Sequence, residues 1–255
     1  MRAPAEPTPR RRGLLIPGIL LLVALAILIS LGTWQLERRE WKEALIAELE
    51  AKLAAPPIDL PARERRPQLN AITDEFRRVK FSAAFLPDQE ALVYTSGSSL
   101  RADVSGPGYW VLSPARLSDG SMVVGNRGFV PEGKQDPKTR PEGQPSGVIE
   151  IVGALRWPEP RGMFTPADQP GKNLWFARDP AAMAATKGWG DVAPFYIDQE
   201  APIPPGGLPK PGPLKPSLPN NHLQYAVTWY GLALMFLISA VFFVRARRRA
   251  ARPSL

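Results

Sequence analysis

The sequence has no cysteine, and its single histidine is His222. Without thiols the chain cannot form disulfides, run dithiol redox chemistry, or hold iron–sulfur clusters and thiolate zinc or copper sites. With one imidazole it cannot gather a histidine cluster around a metal. P-loop, GxGxxG, HExxH and GxSxG patterns are also missing, and the acids form no obvious pair, so the residues argue against an enzyme. The body of the chain lacks a charge imbalance as well. The formal net charge is +8, from 32 Lys plus Arg against 24 Asp plus Glu. Residues 1–12 hold Arg2, Arg10, Arg11 and Arg12 against Glu6, and residues 245–255 hold Arg245, Arg247, Arg248, Arg249 and Arg252 with no acid. The excess therefore sits entirely in two tails. The neutral body offers no basic face to a phosphate backbone, which excludes nucleic acid as a partner.

What the sequence does have is two long uncharged apolar runs, each abutting a basic tail. Residues 14–31 read LLIPGILLLVALAILISL and residues 226–244 read AVTWYGLALMFLISAVFFV. Each is long enough to cross a hydrocarbon core of about 30 Å. Trp34 closes the first, and Tyr225, Trp229 and Tyr230 open the second, as in an interfacial aromatic belt. By the positive-inside rule both arginine-bearing termini are cytoplasmic, and everything between the runs lies on the opposite side. The rival for the first run is a cleaved signal peptide. It is disfavoured by the length of the apolar core and by the lack of a small-x-small cleavage site. The expected compartment is a bacterial inner membrane, with the central domain periplasmic.

Between the runs, residues 35–55 read as a helical stalk continuing the first span, with Glu48 and Lys52 at i, i+4 and Pro56-Pro57 as the stop. Short strand signals follow at 79–85, 91–95, 110–117, 122–130, 148–155 and 195–197. Ser118-Asp119-Gly120-Ser121 reads as a tight hairpin connection. Asp179, Pro180 and Gly188 frame one short helix as N-cap, first residue and terminator. Residues 201–219 contain eight prolines and three glycines, which predicts an extended, semi-stiff linker rather than a packed element. A polyproline ligand for a partner is the other use of such a segment.

The fold class expected is integral membrane α+β: two transmembrane helices bracketing an antiparallel, β-rich, barrel-like extracytoplasmic domain. Its segments are a basic tail (1–12), a first span (13–34), the stalk (35–55), the β-rich domain (56–200), the proline-rich linker (201–221), a second span (222–244) and a second tail (245–255).

His222 is the residue whose chemistry stands out. It shares a helical face with Tyr225 and Trp229, and topology puts it level with Trp34. An imidazole there suits an axial ligand of haem iron, with Arg38 and Arg39 available to carboxylates. The plainer reading is an interfacial anchor that caps the span. Asn126 and Arg127 interrupt an apolar strand between glycines. They read either as a contact to a partner or as a bulge with an internal salt bridge. Trp157, Phe164, Trp175 and Phe176 read as sheet core or as a binding stripe.

Four blocks carry a family resemblance: Gly32-Thr33-Trp34-Gln35 with 38–42; 124–131, Val-Gly-Asn-Arg-Gly-Phe-Val-Pro; Gly153-Ala154-Leu155-Arg156 through Phe164-Thr165-Pro166 to 173–176, Asn-Leu-Trp-Phe; and 221–226 with 228–233. In this order and layout the chain resembles the Surfeit-locus family of cytochrome c oxidase assembly factors. The block at 124–131 departs in carrying Phe129 where the family often has Trp. The resemblance implies a non-enzymatic assembly protein that binds haem a and aids its insertion into the catalytic subunit of the oxidase. His222 would be the axial iron ligand, with Trp34, Tyr225, Trp229, Arg38 and Arg39 around the cofactor. Its partners would be that subunit, haem a synthase and membrane lipid. The alternative is a membrane scaffold for oxidase subunits that binds no haem. A membrane enzyme acting on lipid or haem is the remaining class.

Overall fold

The computed structural model describes residues 15–86 and 88–250. The expected tail at 1–12 lies outside them, as do residues 13, 14 and 251–255. The chain divides into two compact units, Met1–Ile46 with Pro219–Leu255, and Ala47–Leu218.

The first unit is built from two long helices, α1 (Leu15–Ala54) and α4 (His222–Ala250). Both are long and apolar enough to cross a membrane, and only 6% of the most apolar stretch of each is buried. Their apolar side chains therefore do not form a soluble core. The expected span and stalk are one uninterrupted helix, which ends just before Pro56-Pro57 because proline supplies no N–H and clashes with the preceding turn. Lys52 and Glu48 pair at 3.1 Å on its last turns.

The second unit contains, in chain order, β1 (Ile58–Asp59), α2 (Ala71–Asp74), β2 (Arg78–Phe85), β3 (Ala91–Gly97), β4 (Ser105–Leu117), β5 (Met122–Pro131), β6 (Ile149–Arg156), β7 (Leu174–Trp175), α3 (Pro180–Lys187) and β8 (Val192–Ala201). The strands form one sheet in the order β1-β2-β6-β8-β5-β4-β3-β7, and β2 also pairs with β4. The pairings β2–β6–β8–β5–β4 thus return to β2. The expectation of an antiparallel sheet is corrected here: the sheet is mixed. Five strands in a circuit cannot alternate direction at every step, and the odd pair is β5–β8, which is parallel. The short strands β1 and β7, which carry no periodic signal, also add in parallel, to β2 and β3.

Alternation along β5 and β8 sends neighbours to opposite faces, and both faces are buried. Val123, Phe195 and Ile197 join Val79, Phe85, Ile151 and Leu155 in one cluster. Val124 and Tyr196 join Trp110, Leu112, Trp175 and Met183 of α3 in the other. Helix α3 has the expected frame: Asp179 accepts from the Ala182 N–H at 3.0 Å, and Gly188 closes the helix at φ 71°.

The proline-rich segment is the second correction. It is not a free linker but a strap held along the domain. Prolines donate nothing, so the residues between them do. Lys210 and Phe129 exchange backbone bonds at 2.8 and 3.0 Å, and Gly212 donates to Gln199 at 3.1 Å. Lys215 donates to Leu100 at 2.7 Å and Ser217 to Ser99 at 2.8 Å. The buried Arg101 guanidinium adds bonds to the carbonyls of Gly212 and Pro211, and it pairs with Asp103 at 2.7 Å.

Candidate functional site

His222 opens α4, and its Nδ1 lies 2.7 Å from Oε1 of Gln35 on α1. An amide oxygen only accepts, so Nδ1 is the donor in this contact, and in the neutral ring the matching tautomer has its lone pair on Nε2. That tautomer and that fixed ring are what an axial metal ligand requires. The two helices come close just below. Gly32 is buried, and a Cβ there would stand 2.8 Å from the Tyr230 ring. Thr33 Oγ1 lies 3.1 Å from the Tyr230 hydroxyl. Ala226 and Ala233, on the His222 face of α4, are also buried, so small residues line the contact on both sides. Lys42 Nζ donates to the Pro219 carbonyl at 2.6 Å.

Of the residues singled out from the sequence, Trp229 is half-buried, and its indole N–H lacks a partner among the described residues. Trp34 and Tyr225 are 50% and 55% exposed, leaving their rings open to a ligand. Arg38 stacks on Trp41 at 4.3 Å, and Arg39 pairs with Glu43 at 2.7 Å, so both guanidiniums are engaged along α1. Sequence reasoning gave no site role to Gly32, Thr33 and Gln35, which entered only in a family block, or to Tyr230, which entered only in the aromatic belt and a family block. The signals for Gln35 were its place in that block and an uncharged polar side chain at the mouth of an apolar run. Among the described residues no group of three or more His, Asp or Glu side chains is placed to hold a metal ion.

The partner-facing role expected for Asn126 and Arg127 gives way to an internal one. Both are buried. Trp110 pairs with Phe129 and Leu112 with Asn126, so Arg127 and Gly128 oppose Val111 alone, as a bulge. Gly128 takes φ 122°, and a Cβ there would lie 2.2 Å from the Lys210 carbonyl on the strap. The bulge turns Arg127 onto Glu90 at 2.8 Å, where Arg140 also binds. Burial pulls the Arg127 guanidinium down to about 10 against the opposing pull of Glu90, which still leaves it a cation at neutral pH. Asn126 donates to Asp198 at 2.6 Å, and Arg156 reaches the other oxygen of that carboxylate at 3.2 Å. Beside this network the fully buried Tyr196 hydroxyl is pushed up, chiefly by desolvation.

The aromatic set divides. Trp175 is core and Trp157 packs on Phe195, while Phe164 is 92% exposed.

The described site falls within a stretch of known kind. The family model of the SURF1 family matches residues 22–234. The chain is 37% identical to a SURF1-like protein of Monosiga brevicollis, over 88% of this chain and 86% of that one. It is 39% identical to Surfeit locus protein 1 of Xenopus tropicalis, over 84% of this chain and 71% of that one. It is 35% identical to Surfeit locus protein 1 of Homo sapiens, over 91% and 78%. With Gln35, Arg127 and His222 all inside the matched residues, and most of each chain aligned, this protein belongs to the SURF1 family.

Proposed function

We propose that this protein is a membrane-anchored, non-enzymatic assembly factor for cytochrome c oxidase that receives haem a as cargo and aids its transfer to the catalytic subunit. The observation that carries the reading is the 2.7 Å bond from His222 Nδ1 to Gln35, which leaves Nε2 as the iron-directed nitrogen. Trp34, Tyr225 and Trp229 supply aromatic surface for a macrocycle, and the unpartnered Trp229 N–H is a donor for a polar substituent. Arg38 and Arg39, on the following turn of α1, would meet propionates by exchanging their present partners. A single axial imidazole suits a carrier, because it binds reversibly and leaves the other face of the iron to the acceptor. Haem a synthase as donor, and the oxidase catalytic subunit as acceptor, are the partners this role requires. The arginine-rich tails support a bacterial inner membrane with both termini cytoplasmic and the β-rich domain periplasmic. The relatives named above are eukaryotic, and the same topology in a mitochondrion would face the intermembrane space.

The test is co-production with haem a and purification of wild type and His222→Ala. Loss of bound haem with an intact fold is the expected result. Equal haem content and unchanged spectra would sink the ligand role. The same bond also latches α4 to α1, which favours a second reading, a scaffold for oxidase subunits without haem. That reading expects the wild-type protein to carry no haem after the same co-production.

A further inference from the structure

Within the β-rich unit, the loop 132–148 between β5 and β6 and the first part of the strap enclose a cleft of about 520 Å³. That volume lies within the range of ligand clefts. A single helical turn at Pro141–Gly143 forms one wall, and residues 202–209 form the other. The walls are braced on each other. A Cβ on Gly143 would run into the Leu208 carbonyl, and one on Gly206 would meet the Glu142 carboxylate. The buried Phe85 and the half-buried Ile149 give the cleft an apolar lining, and Ile203, 70% exposed, gives it an apolar rim.

The polar groups around the cleft are one-sided. Pro141, Pro145, Pro202, Pro204, Pro205 and Pro209 line it, and a proline has a carbonyl but no N–H. Gln199 is a buried lining residue. Its Nε2 is spent on the Pro202 carbonyl at 2.8 Å, and its Oε1 has no partner among the described residues. The walls therefore offer acceptors to a ligand that brings N–H groups. The floor has the opposite bias. Arg127 lines it, and its buried cluster sets two guanidiniums, Arg127 and Arg140, against one carboxylate, Glu90. Arg127 keeps its internal bonds to Glu90 and the Gly143 carbonyl, while its Nε–H meets no acceptor among the described residues. Glu142 also lines the cleft, but it is exposed, where water and salt screen its charge. The surplus positive charge under the cleft favours an anionic group on the ligand.

We propose that this cleft captures the C-terminus of a peptide chain with an apolar last residue. The terminal carboxylate lies toward Arg127, the last side chain packs on Phe85 and Ile149, and the backbone N–H groups donate to the proline-lined walls. A simple acid satisfies only the floor and a simple amide only the walls. A peptide terminus brings both groups on one apolar body. This inference stands apart from the haem reading and uses none of its residues.

The probes are N-acetyl-leucyl-leucine, its C-terminal amide and hexanoate. Each is titrated into the full chain in phosphatidylcholine nanodiscs with isotope-labelled isoleucine methyl groups. The Ile149 and Ile203 methyl signals report from the cleft, and that of Ile72, 88% exposed, serves as the reference. The expected result is a saturable shift at 149 and 203 with the peptide acid while 72 stays still. The amide should bind about tenfold more weakly, for the loss of one hydrogen bond to a charged group. Hexanoate, which has no N–H, should also bind more weakly than the peptide acid. Ile203→Glu, a change at an exposed position that leaves the core intact, should weaken the peptide acid in the same titration. No saturable shift with the peptide acid, or equal binding by its amide, overturns the proposal. Hexanoate binding as tightly as the peptide acid assigns the cleft to free acids and overturns it too. An unchanged affinity in Ile203→Glu places the ligand outside the cleft and overturns it equally.

Discussion

Replacing Gln35 by leucine removes the acceptor that orients His222 while keeping the ligand and nearly the side-chain volume. In the wild type the 2.7 Å bond fixes both the ring rotation and the Nδ1–H tautomer. Without it the ring is free to turn, and the population with Nε2 presented falls. Loss of an outer-shell partner of a metal-bound histidine lowers affinity by about 10- to 100-fold, which is about 1.4–2.7 kcal/mol. Because His222 is only half-buried, water offsets part of the loss, and a drop near tenfold is expected. Gln35→Glu keeps an acceptor at the same reach and should bind close to wild type. The assay is a Soret titration of nanodisc-reconstituted protein with haem a, run on wild type, both Gln35 variants and His222→Ala. The reasoning predicts Gln35→Leu between wild type and His222→Ala. A Gln35→Leu protein that binds as tightly as wild type, while His222→Ala does not bind, would refute the orienting role. Equal binding by all four would refute iron ligation itself.

Glu90 faces two guanidiniums, and removing one partner of a buried pair costs about 3–5 kcal/mol. Glu90→Ala should therefore lower the thermal midpoint by about 10 °C, followed by circular dichroism, at roughly 3 °C per kcal/mol for a domain of this size. Gly128→Ala and Gly188→Ala both place a side chain at positive φ, but only the first drives a Cβ into the strap backbone. Limited proteolysis should show Gly128→Ala opened around residue 210 and Gly188→Ala close to wild type, with a cost of about 1–2 kcal/mol. The Arg101 guanidinium holds the Asp103 carboxyl well below the usual carboxylate range against the opposing push of burial, and Lys210 adds to the effect. A carboxyl lowered in the folded state stabilises above its unfolded value, about 3.9, and that stability is lost as pH falls through the folded value. Protection factors of the Lys210, Gly212, Lys215 and Ser217 amides should thus stay level from pH 7 to about 4 and fall below it. Asp103→Asn should lower them already at neutral pH, and an unchanged profile would exclude the contact as the clamp.

The elements that were legible beforehand are those whose signal is local. β2 to β6 announced themselves by alternation and by turn residues between them, and α3 by its cap, proline and glycine. β8 showed only Phe195-Tyr196-Ile197. Its extension through Asp198, Gln199 and Glu200 depends on Asp198 finding Asn126 and Arg156, and Glu200 finding Arg78, across the sheet. Arg127 could be read outward or inward from the sequence, and burial against Glu90 decided for inward. His222 was legible by its scarcity, by the helical face it shares with Tyr225 and Trp229, and by its family block. Its partner was not, because a helix shows its sequence on every side, and nothing local says which side meets α4.

By itself the sequence determined the two apolar helices, the neutral body, the exclusion of thiol and polyhistidine chemistry, and the succession of strands. All of these follow from side-chain hydrophobicity, charge and backbone preference acting within a few residues. Only the tertiary structure decided that β8 runs parallel to β5, that the prolines form a strap, and that Gln35 holds His222 across 187 residues of chain. Those outcomes depend on which surfaces meet once apolar area is buried and every buried donor must find an acceptor, and contacts so far apart leave no periodic trace in the sequence.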